Sequence, residues 1–139
     1  MADLTVTATS VSVLSGDVTL GIAGEAITTG QLCYLNDTDG KWYKALCTGT
    51  ALQAGSAGLG MALGTAAAAN ARIGIAKTGA IVQSSAVAAG VVYYVSTNAA
   101  GGLSPAGDLT ATDKIVPAAM SLTGNQLMLI RDYHAGAVL

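Results

Sequence analysis

Hydrophobic and polar positions alternate with period two over most of this chain, in short runs that end at Gly, Asn, Asp, Ser or Thr. That is the pattern of strands with one face on a core. Residues 4–13, LTVTATSVSV, set small hydroxyls against valine and predict a strand, with a bulge where Thr9 and Ser10 break the phase. Further strands are predicted near 17–22, 31–35, 42–47, 58–63, 71–77, 79–83, 91–96, 115–122 and 126–133. Gly124 and Asn125, between MSLT and QLML, suit a two-residue type II′ hairpin turn. The alanine run at 65–71 is under two helical turns, too short to repay nucleation, and reads as a long hairpin loop. The expected fold is all-β.

The strand pattern occurs twice. From Ala26 the chain reads AITTGQLCYLNDTDGKWYKA and from Ala86 it reads AVAAGVVYYVSTNAAGGLSPA. Ala26, Ile27 and Gly30 align with Ala86, Val87 and Gly90, and Tyr34 and Leu35 with Tyr94 and Val95. With one residue inserted, Gly40 and Ala45 align with Gly101 and Ala106. Each copy is followed by an apolar strand pair, LGMAL and NARIGIAK in the first, IVPAAMSL and NQLMLIRD in the second. Two pseudo-repeated units, about 24–77 and 79–132, predict a compact barrel or sandwich. A solenoid generally needs three or more repeats.

The stretch YLNDTDGKWYKA tests whether the repeat carries an ion site. If Gly40 were the bend of a calcium loop, Asp37 and Asp39 would occupy the third and fifth ligand positions, but Leu35 and Leu46 would stand at the first and last. The second copy keeps the turn and the tyrosine and replaces the acids by Thr97 or Asn98 and by Ala100. The shared feature is turn geometry: Gly40, Gly101 and Gly124 are predicted hairpin-turn glycines, supplying the positive φ a tight turn needs.

Composition narrows the function. The chain has 139 residues, enough for one domain with a core, and only 10% are charged against 52% hydrophobic. No charged side chain lies between Lys44 and Arg72 or between Lys77 and Asp108, yet both stretches are broken by Gly, Ser, Thr, Asn and Gln and predict no membrane span. A net charge of −2 with scattered Lys and Arg offers no footprint for nucleic acid. MADLTVTATS has an acid where a signal peptide has bases, so the expected site of synthesis is the cytoplasm. Sparse charge over so apolar a chain predicts surface that is covered by a partner or by further copies.

Residues with reactive potential are few. His134 has only Asp132 beside it, a weak pair for metal or acid–base work. No GxSxG elbow presents a nucleophile, and the glycines of GSAGLGMALG read as turn and strand glycines. Cys33 and Cys47 are expected as buried free thiols, with a cross-strand disulfide as the other arrangement. Trp42 and Tyr43 are neighbours on one strand and must point to opposite faces. Tyr34, Trp42 and Tyr94 are the candidate interface aromatics. No cofactor, metal or catalytic residue is expected.

The repeated unit, with its small-Ile/Val-x-x-Gly opening, tyrosine strand, glycine turn, GMAL strand and RIGIAKTG strand, resembles the small capsid decoration, or cement, proteins of tailed bacteriophages. The resemblance covers about 24–131 and rests on strand and turn pattern. It implies a non-enzymatic virion protein that sits as a homotrimer at three-fold or quasi-three-fold points of the expanded head and clamps the major capsid protein from outside. It also implies an extended N-terminal arm, here residues 1–15 ahead of a β domain over 16–139, with Leu4, Val6, Val11 and Val13 as the capsid-binding side chains. The competing reading is a head-fibre or adhesin module that stacks a glycan on Trp42 and the tyrosines.

Overall fold

The computed structural model describes residues 4, 11–47, 53–55, 57–84, 89–96, 99–105 and 116–130. Within them the chain forms eleven strands and no helix. They are β1 (Ser12–Ser15), β2 (Val18–Ile22), β3 (Leu32–Leu35), β4 (Trp42–Lys44), β5 (Leu59–Ala62), β6 (Arg72–Lys77), β7 (Ile81–Gln83), β8 (Val92–Val95), β9 (Leu103–Pro105), β10 (Pro117–Leu122) and β11 (Gln126–Leu129). Two antiparallel sheets pack as a sandwich, one in the order β2-β6-β5-β3-β4 and the other β1-β7-β11-β10-β8-β9.

The two sheets repeat one topology. The first unit's β6-β5-β3-β4 corresponds to the second unit's β11-β10-β8-β9, and β2 stands beside β6 as β7 stands beside β11. Register repeats too: Cys33 faces Gly60 and Leu32 faces Met61, as Tyr93 faces Ala119 and Val92 faces Met120.

Burial shows how the units are stacked. In the five-stranded sheet, Leu32, Tyr34, Met61 and Ala76 belong to the core between the sheets, while Cys33, Trp42, Ala62, Ile73 and Ile75 form a second cluster with Ala23, Ile27 and Ala66. In the six-stranded sheet the equivalents of that second cluster, Tyr93 for Cys33, Leu103 for Trp42 and Leu127 for Ile75, are the ones that enter the intersheet core. The units therefore stack front to back. One consequence is read directly in the strands: β3 and β5 are buried at nearly every position, whereas β8 and β11 alternate half-buried and buried. A strand covered on both faces loses period two.

Several expectations are adjusted. β9 was not anticipated; its three residues end in Pro105, which an edge strand tolerates. The β10–β11 connection has positive φ at both Gly124 (φ 76) and Asn125 (φ 60), where a type II′ turn has it only at the first, and the Leu122–Gln126 register leaves three residues in the loop. The 65–71 stretch is turns, held where Ala66 bridges to Ile27. Ser12–Ser15, assigned to the arm, pairs with β7 as the edge of the six-stranded sheet, with a register shift between Val13 and Ser15. Thr9 and Ser10, the expected bulge, lie outside the described residues, as do Val6, Asp132 and His134.

Candidate interaction surface

The five-stranded sheet curls until its two ends touch but does not close. Ala23 bridges to Trp42, and the Gly24 amide donates to the Trp42 carbonyl at 2.8 Å. Trp42 fills the curl: a Cβ on Gly21 would stand 2.6 Å from its Cδ1, so the chain has room at position 21 only for glycine. Beyond that contact β2 runs free. Thr19 and Gly21, the small residues, point inward, and Val18, Leu20 and Ile22 point outward at 47%, 67% and 40% exposure.

These three, with Val13 and Leu14 of β1, are all the large hydrophobic side chains exposed among the described residues. They lie on two successive strands that end the two sheets, joined by Gly16 and Asp17. The large hydrophobic side chains exposed among the described residues thus gather on the two edge strands β1 and β2. Of the four arm residues, Val13 belongs to this set. Leu4 and Val11 are half-buried against the intersheet core, and the Leu4 amide donates to the Leu103 carbonyl at 2.8 Å. The described part of the expected arm lies on the body of its own chain.

Sequence reasoning did not single out Leu14, Val18, Leu20 or Ile22. Alternation in VTLGI marks one face as apolar without saying which face is covered. The usable signal was the other parity: a strand offering only Thr19 and Gly21 to the inside is one whose inner space is taken by a large neighbour, here Trp42.

The candidate aromatics are distributed by the strands that carry them. Tyr34 is 7% exposed and Trp42 6%, in different core clusters, and Tyr94 is half-buried. Neither Tyr34 nor Trp42 offers a ring face to solvent. Tyr34 stacks on Tyr43 across the β3–β4 pair, with centroids 5.7 Å apart and planes 24° apart. Tyr43 and Trp42 do point to opposite faces, Tyr43 packing on the intersheet core.

The β3–β4 turn is organised by its own side chains. Gly40 has φ 72, and its amide donates to the Asn36 carbonyl at 2.8 Å. Asp39 accepts from the Lys41 amide at 2.9 Å and from the Tyr43 hydroxyl at 2.6 Å. The Tyr43 hydrogen bond, then the Lys41 amide, hold the Asp39 carboxyl below the usual carboxylate range, and the same carboxylate raises the Tyr43 phenol above its ordinary value. Asp39 thus spends both oxygens on its own turn. Among the described residues no cluster of three His, Cys, Asp or Glu gathers. At the equivalent turn Gly101 has φ 85, with Ala100 in place of Asp39.

Cys33 and Cys47 are both buried, in different core clusters, and no disulfide joins them. Burial, reinforced by Glu25, pushes the Cys33 thiol up to about 12. Its Sγ donates to the Gln31 carbonyl at 3.6 Å. A thiol so disposed packs as a small hydrophobe. Two small cavities flank the first unit, one of about 330 Å³ between the 28–31 and 99–103 turns and one of about 300 Å³ with Asp17, Trp42 and Lys77 in its wall.

No family model, curated protein or solved structure matches this chain. No helix of the described residues is long and apolar enough to cross a membrane.

Proposed function

We propose that this chain is a structural virion protein of a tailed bacteriophage, binding the outer surface of the expanded capsid at three-fold or quasi-three-fold positions and stabilising the head. The observation that carries the reading is the gathering onto β1 and β2 of every large hydrophobic residue exposed among the described residues, in a chain with few charges. Exposed apolar side chains collected on two edge strands mark a contact surface, and a load-sharing shell part needs such a surface and no reactive centre. The partners on this reading are the major capsid protein and further copies of the chain, as a homotrimer on the shell.

The N-terminal stretch enters the contact by exchange. In the free chain one described backbone hydrogen bond, Leu4 to Leu103, ties it to β9; such a bond is worth about 0.5–1.5 kcal/mol net. A strand or groove of the shell that offers a longer hydrogen-bond ladder competes with it, by β-augmentation. Val13 and Leu14 then lie at the base of the arm, where the contact continues onto the body.

The test is co-sedimentation of the purified protein with undecorated expanded heads, scored for saturation, copies per capsid subunit and heat resistance of the shell. Saturable binding at a ratio set by three-fold sites, lost on deletion of residues 2–12 while the circular dichroism of the body is kept, is the expected result. Absence of binding to intact expanded heads overturns the reading.

A further inference from the structure

One peptide bond of this chain carries a chemistry of its own. Asp39–Gly40 is the single Asp-Gly pair in the sequence, and there is no Asn-Gly pair. Where glycine follows aspartate, no side chain shields the next amide nitrogen, and that nitrogen can close on the aspartate Cγ. The bond from the Gly40 nitrogen to Cγ forms, the Cγ–OH bond breaks, and the amide proton leaves with the hydroxyl as water. Water then opens the five-membered succinimide at either carbonyl. Opening at Cγ restores aspartate; opening at the main-chain carbonyl leaves the backbone running through Cγ, as isoaspartate. The net change is an isomerisation that needs no oxidant, metal or second protein.

Packing does not prevent the reaction here. Residues 37–40 are exposed, and a Cβ on Gly40 would meet nothing within 4 Å, so water has free access. What opposes it is hydrogen bonding. The Gly40 amide is held on the Asn36 carbonyl at 2.8 Å, with φ 72. One Asp39 oxygen accepts from the Lys41 amide at 2.9 Å, and the other from the Tyr43 hydroxyl at 2.6 Å. The turn is also closed around the pair: the Asn36 amide donates to the Lys41 carbonyl at 2.9 Å, and the Thr38 amide to the Asn36 side chain at 2.9 Å. Turning the Gly40 nitrogen onto Cγ takes its amide off Asn36 and draws the carboxyl away from Tyr43 and Lys41. The second obstacle is chemical. The carboxyl must be neutral to lose its hydroxyl, and two donors on its oxygens favour the ionised form.

We propose that Asp39–Gly40 is an isoaspartate-forming site that the folded turn holds in check, with the Tyr43 hydroxyl as the side-chain restraint. The equivalent turn of the second unit has Ala100 before Gly101 and cannot undergo this reaction. Conversion inserts a methylene into the main chain between Asn36 and Lys41. The pair that closes the turn then loses its register, and Tyr43 loses its acceptor. The site is independent of the capsid reading, since it belongs to the chain whatever it binds.

The test is peptide mapping by mass spectrometry of the full chain, kept for weeks at neutral pH and physiological temperature. Isoaspartate at residue 39 is resolved from aspartate by retention time and electron-driven fragmentation. Denatured in guanidinium chloride, the chain is expected to accumulate isoaspartate at 39 about tenfold faster or more than the folded chain, because several hydrogen bonds are released together. Tyr43→Phe keeps the ring that stacks on Tyr34 and removes one hydrogen bond. With circular dichroism verifying its fold, it is expected to convert about two- to tenfold faster than folded wild type, the equivalent of that one bond. A folded wild type that converts as fast as the denatured chain overturns the proposal, and this comparison needs no variant. Tyr43→Phe converting at the wild-type rate overturns it too, as does isoaspartate forming in the denatured chain faster at another aspartate than at residue 39.

Discussion

In the first unit β6, β5, β3 and β4 lie in the order in which β11, β10, β8 and β9 lie in the second, yet the first unit is buried on both faces and the second on one. The difference comes from stacking. Because the inner face of the second unit covers the outer face of the first, Met61 is buried where its counterpart Met120 is half-buried, and Tyr34 is buried where Tyr94 is half-buried. The lateral edges differ in the opposite sense: β7 is paired by β1 along its length, whereas among the described residues β2 meets another strand on that side only at its end, where Ala23 bridges to Trp42. One sequence pattern thus yields a unit suited to a double-sided core with an open edge, and another suited to a single-sided core with a covered one.

The comparison breaks most severely at Trp42, whose counterpart at the second hairpin is Leu103. Trp42 holds the curl of the first sheet shut, and Trp42→Ala is expected to cost about 3–5 kcal/mol in a urea unfolding series. A cost below 1 kcal/mol would show that the curl does not depend on it. Next comes Gly60, whose counterpart is Ala119. A Cβ on Gly60 would lie 2.4 Å from Ile75 Cγ2 and 2.8 Å from the Ala76 carbonyl oxygen. Gly60→Ala is therefore expected to destabilise by about 1–3 kcal/mol, whereas the second unit already accepts that methyl at Ala119.

Cys33 sharpens the contrast between buried faces. With its thiol pushed up to about 12, the thiolate fraction at pH 8 is on the order of one in 10⁴. Alkylation of Cys33 and Cys47 in the folded protein is expected to be negligible, and prompt once denaturant is added. Rapid labelling without denaturant would mean that the first unit opens locally.

The smallest effect belongs to the turn decoration that the second unit lacks. The Tyr43–Asp39 bond lowers the Asp39 carboxyl and raises the Tyr43 phenol. Its stabilisation is therefore present above the ordinary carboxylate range and is lost as pH falls through the lowered Asp39 value. On the alkaline side it is complete below pH ~10 and is lost as pH rises through the raised Tyr43 value. Comparing phenolate absorbance of wild type and Asp39→Asn should move the Tyr43 titration back towards the ordinary tyrosine range. An unchanged titration would show the turn forms without that bond in solution.

Period-two runs, turn glycines and the internal repeat made the all-β class and most of the strands legible, because alternation and positive φ are requirements imposed by neighbours in the chain. β9 was missed for the same reason: three residues ending in Pro105 carry no period. That Val18, Leu20 and Ile22 are exposed was not legible, since alternation reports that two faces differ and not which one is covered.

What the sequence determined by itself was therefore the local element, its turns and its duplication. Only the tertiary structure decided that the units stack front to back, that Trp42 occupies the space beside Gly21, that Leu4 returns to Leu103, and that β2 ends its sheet. Those outcomes depend on contacts between residues tens of positions apart, where the burial available on each face is shared among all the strands at once.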